Sequence, residues 1–310
     1  MQAVPFTIRA DMDLGRRITP YLLDNGADVE VREGDVPDNL ANTTTEGVAF
    51  AINDQQMLLK IPDNVAFLIE GGERITYQRN GASDREVSLF LLGSAWGALC
   101  YQRDLLPLHA SGIIKAGRVH AFTGPSGAGK STLAAALAAA GHMFFTDDIL
   151  IIDHEASDGK AICYAGQKDL KLWDDALNLT GAEKIDRVRD DESFQKFTAV
   201  PASEGAVTSG ILSTLSILRN DHMRNDRNTA VIESISGAEA IKQLRNSIYR
   251  PKFAQAFWGR EKLFRILAKL IATVDIHMFD RTLDRKKFED SLAIVDDWIR
   301  QQEKADAGGA

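Results

Sequence analysis

Apolar positions change their rhythm along this chain, and each rhythm predicts a different kind of element. Between about Ala27 and Arg79 they come in short runs separated by turn residues: VEVRE, GVAFAIND, MLLKIPDN, VAFLIEGG and RITYQRNG. Runs of this length bounded by Gly, Asn and Asp predict a small antiparallel sheet. Ser83, with Glu86 three residues later, then forms a capping-box pattern, and Leu89, Leu92, Trp96 and Leu99 recur at helical spacing. A helix therefore links the sheet to the remainder of the chain. Its longest uncharged stretch, VSLFLLGSAWGALCY from Val87 to Tyr101, is too short and too interrupted by Gly and Ser to span a bilayer, and predicts a buried helix.

From about Leu108 strands alternate with helices, the pattern of a mixed or parallel sheet flanked by helices. SGII, the turn KAG and RVHAFT predict two strands feeding the glycine-rich GPSGAGKST; STLAAALAAA is an alanine-rich helix closed by Gly141, and MFFT, Met143 to Thr146, is the next strand. ILSTLSIL predicts a further strand. Ser236 with Glu239 predicts a capped helix carrying Ile241, Leu244 and Ile248 on one face, with Pro251 as its stop. Leu263, Ile266, Leu267, Leu270, Ile271 and Val274 mark a second helix, IHMF a strand, and Phe288, Leu292, Val295 and Ile299 a third helix. The end, EKADAGGA, has the composition of a disordered tail. The expected parts are a small antiparallel β domain over residues 1–82, a linking helix over 83–107, an α/β catalytic domain over 108–300 and the tail over 301–310.

Strand, glycine loop and helix stand in the order that a phosphate-binding loop requires. The spacing G-x-x-x-x-G-K-[ST] runs through Gly124, Pro125, Ser126, Gly127, Ala128, Gly129, Lys130, Ser131 and Thr132. Its three glycines let backbone N–H groups close on phosphates, and the following helix adds the favourable end of its dipole. Lys130 is placed to hold the β- and γ-phosphates and Ser131 to ligate Mg²⁺, so ATP and Mg²⁺ are the expected ligands. No spacing separates adenine from guanine.

Asp147 and Asp148 come just after the strand that follows the phosphate-loop helix. A right-handed strand-helix-strand unit returns that position to the sheet edge where the loop lies. Two adjacent carboxylates beside a phosphate repel unless a cation or a proton intervenes. One therefore suits Mg²⁺ and the other suits the proton of an attacking hydroxyl; the sequence leaves open which is which, and a plain polar turn fits the spacing as well. His109 in LPLHASG stands at a strand start, where a histidine serves as a structural hydrogen-bonding group or as a catalyst. Trp173 reads as a core or interdomain residue before a ligand contact, and the charged run Glu183 to Ser193 as a solvated helix face or loop rather than a cover for the site.

Composition narrows the partners. The chain has 310 residues, is 45% hydrophobic, and carries a formal charge of -8 with a pI near 5.3. No cluster of Lys and Arg offers a surface to nucleic acid or anionic membrane. Cys100 and Cys163 lie far apart and form neither a disulfide framework nor a metal-ligand spacing, which fits a reducing compartment. The start, MQAVPFTIRADMD, lacks the charged and apolar regions of a secretory signal, so a cytoplasmic protein is expected.

LHASG, GPSGAGKS and TDD in close succession resemble the catalytic domain of the HPr kinase/phosphorylase family, whose relatives include ATP-dependent phosphoenolpyruvate carboxykinases. KLWDDAL and LRNSIYRP are similar to segments of smaller kinase-like members found with lasso-peptide biosynthesis, which phosphorylate a precursor peptide on serine. The resemblance covers about Leu108 to Ile299. It implies an α/β P-loop kinase domain of this type behind a small N-terminal β-rich domain, with nucleotide on Gly124 to Ser131. It further implies metal and general-base roles for Asp147 and Asp148, and a place for His109 beside the transferred phosphoryl group. The same resemblance draws Asn246 and Arg250 toward the nucleotide or the transferring phosphate, while their segment reads equally as a helix end with ordinary surface charge; homo-oligomers are implied by the resemblance alone. The chain departs from the bifunctional enzymes: the glycine-rich signature that follows the aspartate pair for phosphate removal is missing, and the N-terminal sheet differs. The expected activity is Mg²⁺-dependent transfer of the γ-phosphoryl group of ATP to a serine of a peptide or protein, which the free edge of the N-terminal sheet would bind as an added strand. An ATP-hydrolysing switch and a kinase of a small metabolite stand as alternatives.

Overall fold

The computed structural model describes residues 4–155, 159–188, 195–220, 230–281 and 287–308. Its N-terminal part is a seven-stranded sheet built from β1 (Ile8–Ala10), β2 (Val29–Glu33), β3 (Thr45–Gly47), β4 (Phe50–Ile52), β5 (Gln56–Ile61), β6 (Val65–Glu70) and β7 (Arg74–Arg79), in the order β1-β2-β7-β6-β5-β4-β3. The five expected runs are all strands, but the sheet is mixed rather than antiparallel. β1 pairs β2 in parallel and β2 pairs β7 in parallel. Parallel neighbours need a crossover, and a 3₁₀ turn at Arg16–Tyr21 lies in the segment that provides one between β1 and β2. The run IRA is too short to announce its strand.

The predicted linking helix is α1 (Asp84–Phe90), a π-helical turn (Leu91–Ala95) and α2 (Trp96–Gln102) in unbroken succession. Ser83 and Glu86 form both bonds of the capping box, as the spacing predicts. The π turn includes Gly93, and Gly97 follows on α2. A Cβ on Gly97 would lie 2.9 Å from the ring of Tyr249, so these small residues make room for that ring. Trp96 packs edge-on against Tyr21 (5.0 Å between centroids) and near Phe6 (5.3 Å), tying the N-terminal segment to the helix.

A nine-stranded mixed sheet forms the second part. Its strands are β8 (Leu106–Leu108), β9 (Ala110–Lys115), β10 (Arg118–Thr123), β11 (Met143–Thr146), β12 (Leu150–Asp153), β13 (Ile162–Ala165), β17 (Ser209–Asn220), β18 (Val231–Ser234) and β19 (Asp275–Arg281). β17 is its trunk: β10 runs parallel along one edge, while the other edge takes β13 and then β19. β9 and β10 form a hairpin whose turn, Ala116 and Gly117, has both φ values positive, the twist that suits a two-residue hairpin loop.

The alternation along β10 buries both faces. Val119 and Ala121 enter the core shared with the N-terminal sheet and α2, while Phe122 enters the core beneath α3 (Lys130–Ala139) and α7 (Phe288–Gly308). Leu133 and Leu137 of α3 meet Val295 and Ile299 of α7. The alanine side of α3 permits close approach of a small antiparallel sheet, β14 (Leu170–Trp173), β15 (Glu183–Arg187) and β16 (Lys196–Val200), with α4 (Asp174–Thr180) beside it. This unit is absent from the sequence expectation, and Glu183–Arg187 is a strand rather than a helix face or loop; residues 189–193 of that charged run lie outside the described residues.

One cap and two helix boundaries also differ. α5 (Gly237–Ser247) has Ser236 at its N-cap without a side-chain cap bond. Pro251 opens α6 (Pro251–Ile271) at its first turn, where a missing N–H costs nothing, instead of merely stopping α5. α6 bends at Gly259, whose φ of 69° leaves the helical region. The tail expected to be disordered continues α7 to Gly308.

Gly124 closes β10 against β17 at φ +141°, and a Cβ there would stand 2.6 Å from the Leu218 carbonyl oxygen. Both the dihedral and the backbone contact exclude a side chain. Gly124→Ala is expected to destabilise the chain by about 1–3 kcal/mol and to weaken nucleotide binding with it. Thermal unfolding and nucleotide titration of the variant check this; an unchanged midpoint would contradict it.

Candidate active site

β10, the loop Gly124–Gly129 and α3 place the phosphate loop at the C-terminal edge of the strand, with Gly129 left-handed at φ 83° as the helix cap. The loop faces a cavity of about 260 Å³. Ser126, Gly127, Gly129, Lys130, Ser131 and Thr132 line it from the loop side, and His109, Asp147 and Asp148 from the neighbouring strand ends. Gly124, Pro125 and Ala128 of the loop do not line it. Lys130 Nζ donates to the carbonyls of Gly124 (3.0 Å) and Pro125 (3.1 Å). Burial pushes its ammonium down in pKa, against the attraction of Asp147 and Asp148.

The aspartates share a three-residue turn, Asp147 to Ile149. Ile149 N–H donates to Asp147 O (2.8 Å), and Asp148 between them has φ +68°. This left-handed γ-turn geometry is rare and costly for a residue with a side chain. It sends the two carboxyl groups to different partners. Asp147, 1% exposed, accepts from Ser131 Oγ (2.8 Å) and Ser111 Oγ (2.5 Å) on one oxygen and from Lys171 N–H (2.9 Å) on the other. Asp148 accepts from Lys171 Nζ (2.6 Å), and its other oxygen lies 3.2 Å from His109 Nδ1. Burial opposes the charge of Asp148, but Lys171 and His109 outweigh it and hold its pKa well below the usual 3.8.

His109 Nδ1 also lies 2.9 Å from the Asp148 carbonyl oxygen. Both neighbours of Nδ1 are acceptors, so Nδ1 carries a proton and Nε2 is the nitrogen left for other partners. The backbone N–H of His109 donates to Ser247 O (2.7 Å), and its ring stands 6.2 Å from that of Tyr249. Asn246 and Arg250, the remaining expected contacts, do not line the cavity. Asn246 faces a groove between α5 and α6, and the Arg250 guanidinium lies over the Tyr249 ring at 5.6 Å.

Several cavity residues had no sequence motif to announce them. Lys171 and Trp173 come from β14 and Lys196 from β16; Trp173, 47% exposed, lines the cavity instead of filling a core. Their signal lay in the period-two pattern of LKLW, read only as part of a family segment. Arg281 ends β19, is 5% exposed, and donates Nη2 to the carbonyls of Ala128 (2.8 Å) and Gly129 (3.3 Å). Burial lowers its pKa to about 10. It braces the phosphate loop from below.

The residues present fit Mg²⁺. The Ser131 hydroxyl and Asp147 carboxyl are hard oxygen donors on adjoining elements, and Mg²⁺ takes one or two such groups with phosphate and water oxygens rather than an all-protein cage. Among the described residues no group of three or more His, Cys, Asp or Glu side chains converges.

A family model described as ABC transporter matches residues 109–250, which hold the phosphate loop and both aspartates. The chain carries a P-loop nucleotide-binding domain of mixed α/β type. No curated protein matches it. Among solved structures it is similar to the Hpr(Ser) kinase/phosphatase from Coxiella burnetii at 11% identity and a TM-score of 0.34, over 63% of this chain and 98% of that one; so distant a likeness carries no argument about activity. Among the described residues no helix is long and apolar enough to cross a membrane.

Because Asp148 has a depressed pKa, its ion pair adds stability above pH 3.8, and that contribution is lost as pH falls through the lower folded value. Lys171→Met removes the pairing cation and raises the Asp148 pKa. Acid unfolding followed by circular dichroism is expected to begin at higher pH in the variant; an unchanged acid midpoint would show that the pair contributes nothing.

Proposed function

We propose that this chain is a Mg²⁺-dependent kinase that transfers the γ-phosphoryl group of ATP to a serine hydroxyl of a peptide or protein. The observation that supports it is the division of the aspartate pair: Asp147 accepts a hydrogen bond from the Ser131 hydroxyl, while Asp148 stands with His109 and Lys171. Ser131 and Asp147 would hold Mg²⁺, which would neutralise charge on the phosphate oxygens. Phosphate in the loop offers Lys130 anionic oxygens in place of the Gly124 and Pro125 carbonyls. The serine oxygen forms its bond to the γ-phosphorus as the bond to the β-γ bridging oxygen breaks and ADP leaves; Asp148 takes the hydroxyl proton.

A carboxylate with a low pKa is a weak base, and this chemistry asks little more. In a loose phosphoryl-transfer transition state the nucleophile keeps its proton until late, so Asp148 acts first by orienting the hydroxyl. Lys171, drawn to the transferring phosphoryl group, leaves Asp148 more basic at the moment of need. His109 holds the Asp148 turn through Nδ1. Within this reading a lasso-peptide precursor is the acceptor suggested by KLWDDAL and LRNSIYRP.

The match to the ABC transporter model favours a second reading, in which ATP is hydrolysed to drive a change of shape and water is the acceptor. Incubation with γ-labelled ATP and Mg²⁺, with peptides encoded beside the gene as acceptors, separates the two by intact mass. The kinase predicts a gain of one phosphate on peptide, abolished by Lys130→Ala. It also predicts that Asp148→Asn lowers kcat by at least about 100-fold with little change in nucleotide affinity, whereas His109→Ala weakens both base and turn. Release of inorganic phosphate with no phosphorylated peptide would support the switch.

A further inference from the structure

We infer that the groove between α5 and α6 is a docking site for an acidic, partly apolar segment of the acceptor peptide or protein; the inference rests on the kinase reading. The groove has a volume of about 1190 Å³. Ile241 and Leu263 supply apolar wall, and Phe264, 57% exposed, stands among the large hydrophobic side chains left open to solvent. The bend at Gly259 separates Gln255 from Arg260 along α6 and lets both face the groove.

Charge chooses the occupant. The lining contains Lys242, Arg245 and Arg260 and no Asp or Glu, on a chain with 44 acidic and 36 basic residues. Lys242 has Glu239 at 4.0 Å, whereas Arg245 and Arg260 are exposed and have no ion pair among the described residues. Exposed guanidinium groups above an apolar wall complement carboxylates placed between apolar anchors. Asn246 and Gln255 add hydrogen-bonding groups for an extended or helical backbone.

Position links the groove to the transfer site. Asn246 and Ile248 line it, and between them Ser247 gives its carbonyl to His109 N–H. Ile248 also bridges to Leu108, the residue before His109. The end of the groove wall thus pairs with the segment carrying His109, which lines the phosphate-loop cavity. The free edge at β3 offers only Thr45–Gly47 for strand addition.

The test uses the full chain and a labelled peptide of Leu and Glu at helical spacing ending in serine, with a counterpart carrying Lys for Glu, followed by fluorescence anisotropy. The acidic peptide is expected to bind wild type and Lys130→Ala alike, and to lose affinity at least about tenfold in Arg245→Glu/Arg260→Glu, in Phe264→Ala and on raising salt. ATP binding should stay unchanged in these variants. Equal binding by the double variant, preference for the Lys peptide, or a concentration-dependent dimer abolished by Phe264→Ala without peptide binding would overturn the groove. Mass spectrometry keeps the two proposals apart. Groove-dependent binding without phosphate gain would sink the kinase and leave the dock, whereas phosphate gain with the same KM in the double variant would sink the dock alone.

Discussion

One buried carboxyl group gathers the site. Asp147 is almost fully removed from water, and a carboxyl in that position is tolerable only when both oxygens are satisfied. Its partners come from three other segments: Ser111 on β9, Ser131 on α3 and the Lys171 backbone on β14. Those bonds hold the first turn of the phosphate-loop helix against the end of β11 and draw the small three-stranded sheet over the cavity. The same sheet then delivers Lys171 Nζ to Asp148, so the geometry of the second aspartate follows from the satisfaction of the first.

The far side of the molecule supports this arrangement through the segment that leads into β14. Tyr21 Oη donates to Ala165 O (2.6 Å), Gln167 Nε2 to Leu92 O (2.7 Å), and Asp169 lies 3.3 Å from Arg16 and 3.4 Å from Arg17. Each contact joins the N-terminal segment or the π turn to residues just before Lys171. Tyr249, beside His109, packs where Gly93 and Gly97 leave space on the same helix.

What the sequence made legible was local. The phosphate loop, its strand and helix, the aspartate turn and the capping box at Ser83 are each written in contiguous residues, and each forms as read. Lys171 and Trp173 stood in the quoted KLWDDAL segment without an assigned place in the site, and Lys196 and Arg281 were invisible because they reach the cavity by pairing and packing, where a lone Lys or Arg carries no spacing to read. β1 and the parallel pairings of the N-terminal sheet escaped for a related reason: three residues set no period, and direction depends on a crossover rather than on alternation. Asn246 and Arg250 show the converse, where a family segment drew residues toward a site that the fold places beside it.

The central claim is that adjacent aspartates serve different partners during phosphoryl transfer. The most direct measurement is a crystal structure of the full chain with Mg²⁺, a non-hydrolysable ATP analogue and a serine-bearing acceptor peptide. The account predicts the cation on Ser131 and Asp147, with the Asp148 carboxylate facing the acceptor hydroxyl. Asp148 bound to the cation, or a water held in line with the γ-phosphorus with the peptide elsewhere, would contradict it.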